Sequence, residues 1–290
     1  MRHLTRLLKS IRVLGLRNGV IVFWWYAYHR MHSRTRWATR EIRLRTLRKP
    51  IWIRPGVSDW IVMERIFLDR EYDPVSAPHD AAMNALCARI TASGGTPLIM
   101  DCGANAGLSA VWFAERFPTA VVVAIEPEQG NFDVLSRNAE NYPTIRPLRA
   151  AISHRAGRVT LVNTGDTPWA WTTREVLDGE VATVTPQQII DSDPSYVPLA
   201  MKIDIEGFET TLLAANTEWA DDLPLTMFEM HDWMTPWSGS GAAFMTTLSR
   251  ITRDYLIRGE NVFAYAHTLA AEPNAPASQA SGLRRAVRAC

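Results

Sequence analysis

Cysteine is scarce. Three cysteines stand in 290 residues (Cys87, Cys102 and Cys290), with no C-x-x-C pair and no cysteine–histidine cluster. That excludes a disulfide framework and a structural zinc site, and it favours a reducing compartment. His29 and His32 are three apart but lack a third ligand nearby, so no metal site is assigned. Long apolar runs are missing too. The stretch 19–28 (GVIVFWWYAY) is ten residues long, bounded by Arg17 on one side and His29-Arg30 on the other. It falls well short of the ~18–20 apolar residues that cross a bilayer. No small-residue cleavage site follows it, so neither a membrane span nor a secretory signal is expected.

Net charge is also small, at +1, but it hides an asymmetry. Residues 1–50 hold 13 lysines and arginines against one acid, Glu41, a charge of +12; the rest of the chain carries −11. The first segment is electrostatically a different object. Within it, a step of about 100° per residue gathers Leu4, Leu7, Leu8, Ile11 and Leu14 on one arc. Arg2, Arg6, Lys9, Arg12 and Arg17 fall opposite. Trp24, Trp25, Tyr26 and Tyr28 follow, and such rings favour a membrane–water interface. Residues 1–30 are therefore expected either to meet an anionic membrane surface or to pack on the main domain. The expected location is cytoplasmic, either free or peripheral at the inner membrane face.

With 47% apolar residues, the remainder can bury a core. Three regions are expected: a basic amphipathic segment over 1–50, one domain over 51–267, and an Ala/Pro/Ser-rich, disordered tail over 268–290. A short strand at 51–54 precedes a Pro-Gly turn, and Ser58 or Asp59 is placed to cap a helix running to Arg70. From residue 79 strands and helices alternate. Strands are expected at 97–101, 119–125, 144–152, 158–162, 199–205, 225–230 and 262–265. Helices are expected at 79–92, 107–117, 128–140, 186–191, 206–215 and 241–255. That alternation argues for an α/β fold with a mostly parallel sheet covered on both faces.

The chemistry begins at the first of those strands, which runs into Asp101-Cys102-Gly103-Ala104-Asn105-Ala106-Gly107. Gly103 and Gly107 let the chain turn tightly and a ligand approach closely. The turn delivers a helix N-terminus, whose free N–H groups suit an anion. The segment is neither G-x-G-x-x-G, because Asn105 and Leu108 interrupt it, nor a P-loop. The second strand ends in Ile125-Glu126-Pro127. An acid about 20 residues after such a turn is placed to bind two ribose hydroxyls.

Five ordered segments resemble the FkbM-type methyltransferase family: DCGANAG, AIEPEQGNFDVLSRN, LRAAISHRAGRVTLV, MKIDIEGFE and FEMH. RPGVSDW and REYD resemble that family's lead-in, and the likeness spans roughly residues 51–266. It implies a Rossmann-like class I methyltransferase fold and S-adenosylmethionine as cofactor. It implies that Asp101, Gly103, Asn105 and Gly107 line the methionine end and that Glu126 holds the ribose. Asn131 and Phe132 open the next helix, where capping and packing explain them as well. The strand near 150–152 should end beside the adenine, but Ser153-His154-Arg155 stands where many relatives carry Gly-Asp.

Strand alternation puts Lys202, Asp204 and Glu206 on one side and Ile203 and Ile205 on the other. Asp204 and Glu206 thus reach the expected position of the methyl group, where they could orient a hydroxyl, take its proton or hold a divalent metal. Otherwise Glu206 caps a helix and Asp204 pairs with Lys202. Glu229 and His231, at the end of the fifth strand, reach the same face, and an imidazole can accept a proton near neutral pH. The catalytic candidates are His231, Asp204 and Glu206, with His231 as the base. Trp169, Trp171, Trp233 and Trp237 could stack on a sugar ring or pack the core.

The function expected is S-adenosylmethionine-dependent O-methylation of a hydroxyl on a sugar, glycolipid or small molecule. Two rivals are a nicotinamide-dependent oxidoreductase and a membrane-docked binding protein with a degenerate methyltransferase fold. Nucleic acid is not expected, because no module that reads bases is visible.

Overall fold

The computed structural model of the chain describes residues 39–54, 58–163, 171–175, 179–232, 236–237 and 239–269, with isolated positions between 11 and 24. The expected amphipathic helix over 1–18 and most of the tail lie outside the described residues.

The lead-in is a hairpin-like pair, β1 (Arg40–Ile42) and β2 (Ile51–Ile53). Residues 39–50, grouped by charge with the basic segment, are thus joined to the folded unit. Next come α1 (Asp59–Met63) and a π-helical turn (Glu64–Leu68), where a single helix to Arg70 was expected. α2 (Ala77–Ala92) leads into β3 (Thr96–Cys102). Then α3 (Leu108–Arg116), β4 (Val121–Ile125), α4 (Gln129–Ala139) and β5 (Ile145–Leu148) follow in strict alternation.

The expected strand over 144–152 breaks at residues 149–150. Its second part, β6 (Ala151–Ile152), joins a separate sheet with β7 (Gly157–Asn163), β8 (Trp171–Glu175) and β9 (Val181–Val184). α5 (Pro186–Ile190) is closed by a capping box between Thr185 and Gln188 and leads to β10 (Tyr196–Ile203). α6 (Glu209–Leu212) is one turn long, shorter than the expected helix over 206–215. Then come β11 (Leu225–Glu229), α7 (Ser240–Leu248), β12 (Arg253–Arg258) and β13 (Asn261–Ala266). The expected helix over 241–255 stops at Leu248, and its last residues begin β12.

The main sheet has the order β12-β13-β11-β10-β3-β4-β5. β11, β10, β3, β4 and β5 are parallel, while β13 runs antiparallel to both of its neighbours. This is the Rossmann-like class I methyltransferase arrangement. Strand order reverses between β3 and β10, and ligands bind outside the carboxyl ends at such a point.

Alternation along the strands splits the core into two layers. Ile99, Val122, Ala200 and Met227 face one helical layer. Leu98, Met100, Val123, Met201 and Phe228 face the other, where the Phe228 and Phe244 rings stack at 4.1 Å. Strands buried on both faces read as continuous apolar runs, which is why their positions were legible. The lead-in is pinned to this frame by Asn138, whose side chain accepts from Trp52 N at 2.6 Å and donates to Trp52 O at 2.9 Å. Among the described residues, no helix is long and apolar enough to cross a membrane.

Candidate active site

The carboxyl edge of the sheet opens into a cleft of about 770 Å³, continuous with solvent. Its lining follows strand order. After β10 stand Asp204 and Glu206, after β3 Gly103 to Asn105, after β4 Glu126, and after β5 Ala150 to Ile152. Four neighbouring strands at ~4.8 Å spacing lay these groups out over about 14 Å. One end is apolar, an acid sits between, and the other end is charged.

The turn after β3 depends on glycine. Gly103 has φ +78°, and a β-carbon there would collide with the backbone carbonyl of Asp204. The two strand ends can approach only because that atom is missing. Gly107, φ +79°, is the N-cap of α3, and a side chain there would collide with Leu135 of α4. It packs two helices together and does not line the cleft. Asp101 does not line it either. It is fully buried beneath the turn, accepts from Ser109 Oγ at 2.6 Å, and lies 3.5 Å from Lys202 Nζ. Asn105, φ +48°, does line the cleft.

Glu126 faces the cleft from a buried position. Its Oε2 accepts the Asn105 N–H at 2.8 Å, and its Oε1 accepts the Glu128 N–H at 3.0 Å and Asn131 Nδ2 at 3.2 Å. Burial pushes its carboxyl up to about 7 even though all three of these bonds oppose the shift. Asn131 also accepts from Arg54 at 2.7 Å, and Arg54 forks onto the buried Asp59 at 2.8 and 2.9 Å. The lead-in thereby braces the acid from behind. Sequence reasoning took Asp59 for a helix cap and left Asn131 open. The bracing spans 77 residues between Arg54 and Asn131, and no local pattern reports it.

At the apolar end, Ala150, Ala151 and Ile152 line the cleft, and Ser153-His154-Arg155 do not.

At the opposite end, Lys202 and Asp204 meet as strand alternation expects. Lys202 Nζ is 3.3 Å from Asp204 Oδ2 and donates to Gly103 O at 3.2 Å. Burial opposes its charge, but Asp204 with Tyr72, Asp101 and Glu229 outweighs it, so the ammonium is held protonated. Glu206 arrives by a turn after the strand, with φ +51°. A left-handed non-glycine costs on the order of 1–3 kcal/mol and marks functional positions. Glu206 lines the cleft and has no hydrogen-bond or ion-pair partner among the described residues. Burial, with Asp204 adding and His231 opposing, pushes its carboxyl up to about 7.

His231 stands behind this wall, buried, and does not line the cleft. Its Nδ1 is 2.8 Å from Glu209 Oε1, and its Nε2 is 3.7 Å from Asp204 Oδ1 and 3.9 Å from Glu229 Oε2. Burial disfavours its charge, but the bond to Glu209, with Asp204 and Glu206 close by, raises the imidazole to about 9. Glu229 is itself pushed up to about 8 by burial and by Asp204. Asp204, Glu206 and His231 each offer an atom within 4.8 Å of the others. Of the four tryptophans singled out, Trp237 is fully exposed; Trp169, Trp233 and the Trp171 side chain lie outside the described residues. Lys202, Tyr72, Ser109 and Glu209 are the site residues that the motifs did not assign.

The model of a family described as the methyltransferase FkbM domain matches residues 101–255. The chain is similar to the hexuronic acid methyltransferase AglP of Haloferax volcanii, 25% identical over 54% of this chain and 67% of that protein. It is also similar to the methyltransferase sdnD of Sordaria araneosa, 29% identical over 34% of this chain; it spans about a third of that relative's length. Among solved structures, it is similar to a precorrin-6y C5,15-methyltransferase from Geobacter metallireducens, with 10% identity, a TM-score of 0.34, and coverage of 64% of this chain and 84% of that one.

Proposed function

This chain belongs to the family of FkbM-domain methyltransferases, and from that premise we propose that it transfers the methyl group of S-adenosylmethionine to a hydroxyl oxygen of an uncharged, sugar-like acceptor. The nicotinamide rival falls with the family match. The observation that carries the reading is the linear order of the cleft: apolar wall, buried acid, close-packed glycine turn, charged end. An adenine, a ribose and an amino-acid chain present the complementary order. The carboxylate of Glu126 suits ribose hydroxyls, and Ala150, Ala151 and Ile152 offer an apolar face to the base. Gly103 leaves room for the chain beyond the ribose.

When bound, S-adenosylmethionine supplies an activated methyl group on a positively charged sulfur. The protein's own part is alignment and proton removal. Glu206 accepts the hydroxyl proton. It faces the cleft without a partner among the described residues, and its raised pKa matches a base working near neutral pH. Asp204, held on Oδ2 by Lys202 and approached on Oδ1 by His231, orients the acceptor.

Charge argues for an uncharged acceptor. Asp101, Asp204, Glu206, Glu209 and Glu229 gather around two cations, Lys202 and His231, and both cations already sit among these acids. Among the described residues lining the cleft, Lys202 is the sole lysine or arginine. A carboxylate acceptor would meet like charge here, and like-charge contacts reject partners. The test is a panel of neutral glycosides and matched uronic acids with radiolabelled methyl donor. Transfer to the neutral set, at least tenfold faster, supports the reading. Preferential methylation of the uronic acids sinks it.

A further inference from the structure

Glu209 lies behind the cleft wall, bonded to His231, and is itself used by none of the steps above. Glu209 is fully buried in α6, and its Oε1 sits 2.8 Å from His231 Nδ1. Taking Glu209 Oε1 as the acceptor and the ring as the donor puts the proton of this bond on Nδ1. That leaves Nε2 turned toward two further carboxylates, Asp204 at 3.7 Å and Glu229 at 3.9 Å. A bare Nε2 lone pair there would face the Asp204 carboxylate. A protonated Nε2 faces it favourably, so the geometry selects the imidazolium.

Among the described residues, the charged groups around this ring come from three elements. Glu209 belongs to α6, Asp204 and Glu206 to the loop after β10, and Glu229 to β11, with Lys202 beyond Asp204. Asp204 is therefore gripped from two sides, Lys202 on Oδ2 and His231 on Oδ1. Among the described residues nothing grips Glu206, which leaves it to receive a proton.

We propose that Glu209 is a positioning residue: it holds the His231 imidazolium by Nδ1 so that Nε2 fixes Asp204 in the cleft and leaves Glu206 as the reactive carboxylate. The proposal rests on the reading of the cleft given above. Within it, His231 acts through Asp204 and takes no proton from the acceptor. A buried glutamate that only filled space would be replaced without consequence by glutamine, which has the same shape. A charged one that holds an imidazolium would not.

The experiment is ¹⁵N NMR of the full chain labelled at histidine, with His231→Gln used to assign the signal and S-adenosylhomocysteine titrated in parallel. In the wild type both ring nitrogens should be protonated at pH 7.5. The proton should be lost only toward pH 9, leaving Nδ1 protonated. In Glu209→Gln the ring should bind its proton at least tenfold more weakly, with S-adenosylhomocysteine affinity within about twofold of wild type. A wild-type ring that is neutral at pH 7.5, or that keeps its proton on Nε2, overturns the proposal without any variant. So does an unchanged titration in Glu209→Gln. Failure of the wild type to bind S-adenosylhomocysteine counts against the methyltransferase reading, on which the proposal depends, and is read separately from the ring spectrum.

Discussion

Gly103 and the backbone carbonyl of Asp204 pack so closely that no β-carbon fits between them. One glycine thus brings the turn after β3 and the end of β10 into a single cleft. Replacing Gly103 with alanine adds overpacking, about 1–3 kcal/mol, to a left-handed backbone penalty of about 1–2 kcal/mol. The expected outcome is a fall in melting temperature of roughly 5–15 °C, with S-adenosylhomocysteine affinity reduced in whatever remains folded. Differential scanning calorimetry with and without that ligand checks it. An unchanged melting temperature would mean that the turn is looser than described.

On the proposed assignment, Glu206 sets the pH dependence. Its carboxyl titrates at about 7, above the ordinary carboxylate range. The base form therefore appears as pH rises through about 7, and methyl transfer should climb with it between pH 6 and 8. Glu206→Gln should lose that rise and slow transfer about 10²–10⁴-fold, while S-adenosylhomocysteine still binds. A pH–rate profile that is flat in the wild type, or a variant that keeps its rate, assigns the proton to another group.

The apolar, doubly covered strands were legible because β3, β4, β10 and β11 are buried on both faces and read as unbroken runs. Glu126 was legible because its distance from the glycine turn is fixed by one helix and one strand. The small second sheet was less so. β8 and β9 are short and mix polar with apolar residues, so their periodicity is weak. β12 was hidden because Arg253 reads as polar surface. It is in fact buried, donating to the carbonyls of Leu248, Leu223, Ala264 and Ala220. Glu209 looked like an ordinary helix acid in E-G-F-E. Its partner lies 22 residues on, across the fold. Local pattern locates elements and the groups at strand ends, but it does not report which buried charge meets which.

The basic segment 1–30 makes a separate prediction. If its aromatic and cationic residues dock on an anionic surface, the full chain should bind vesicles containing phosphatidylserine and release them at high salt. A chain lacking residues 1–30 should bind S-adenosylhomocysteine normally and lose vesicle binding. Equal vesicle binding by both forms would remove the membrane role from this segment.

The central claim is that the cleft beside Glu126 is an S-adenosylmethionine site. Isothermal titration of S-adenosylhomocysteine into the wild-type chain and into Glu126→Ala tests it directly. Each hydrogen bond to a charged carboxylate contributes about 1.5–3 kcal/mol, so the variant should bind at least about tenfold more weakly. Micromolar binding by the wild type with that loss is the result predicted. No binding by a well-folded wild type, or equal binding by the variant, would contradict the account.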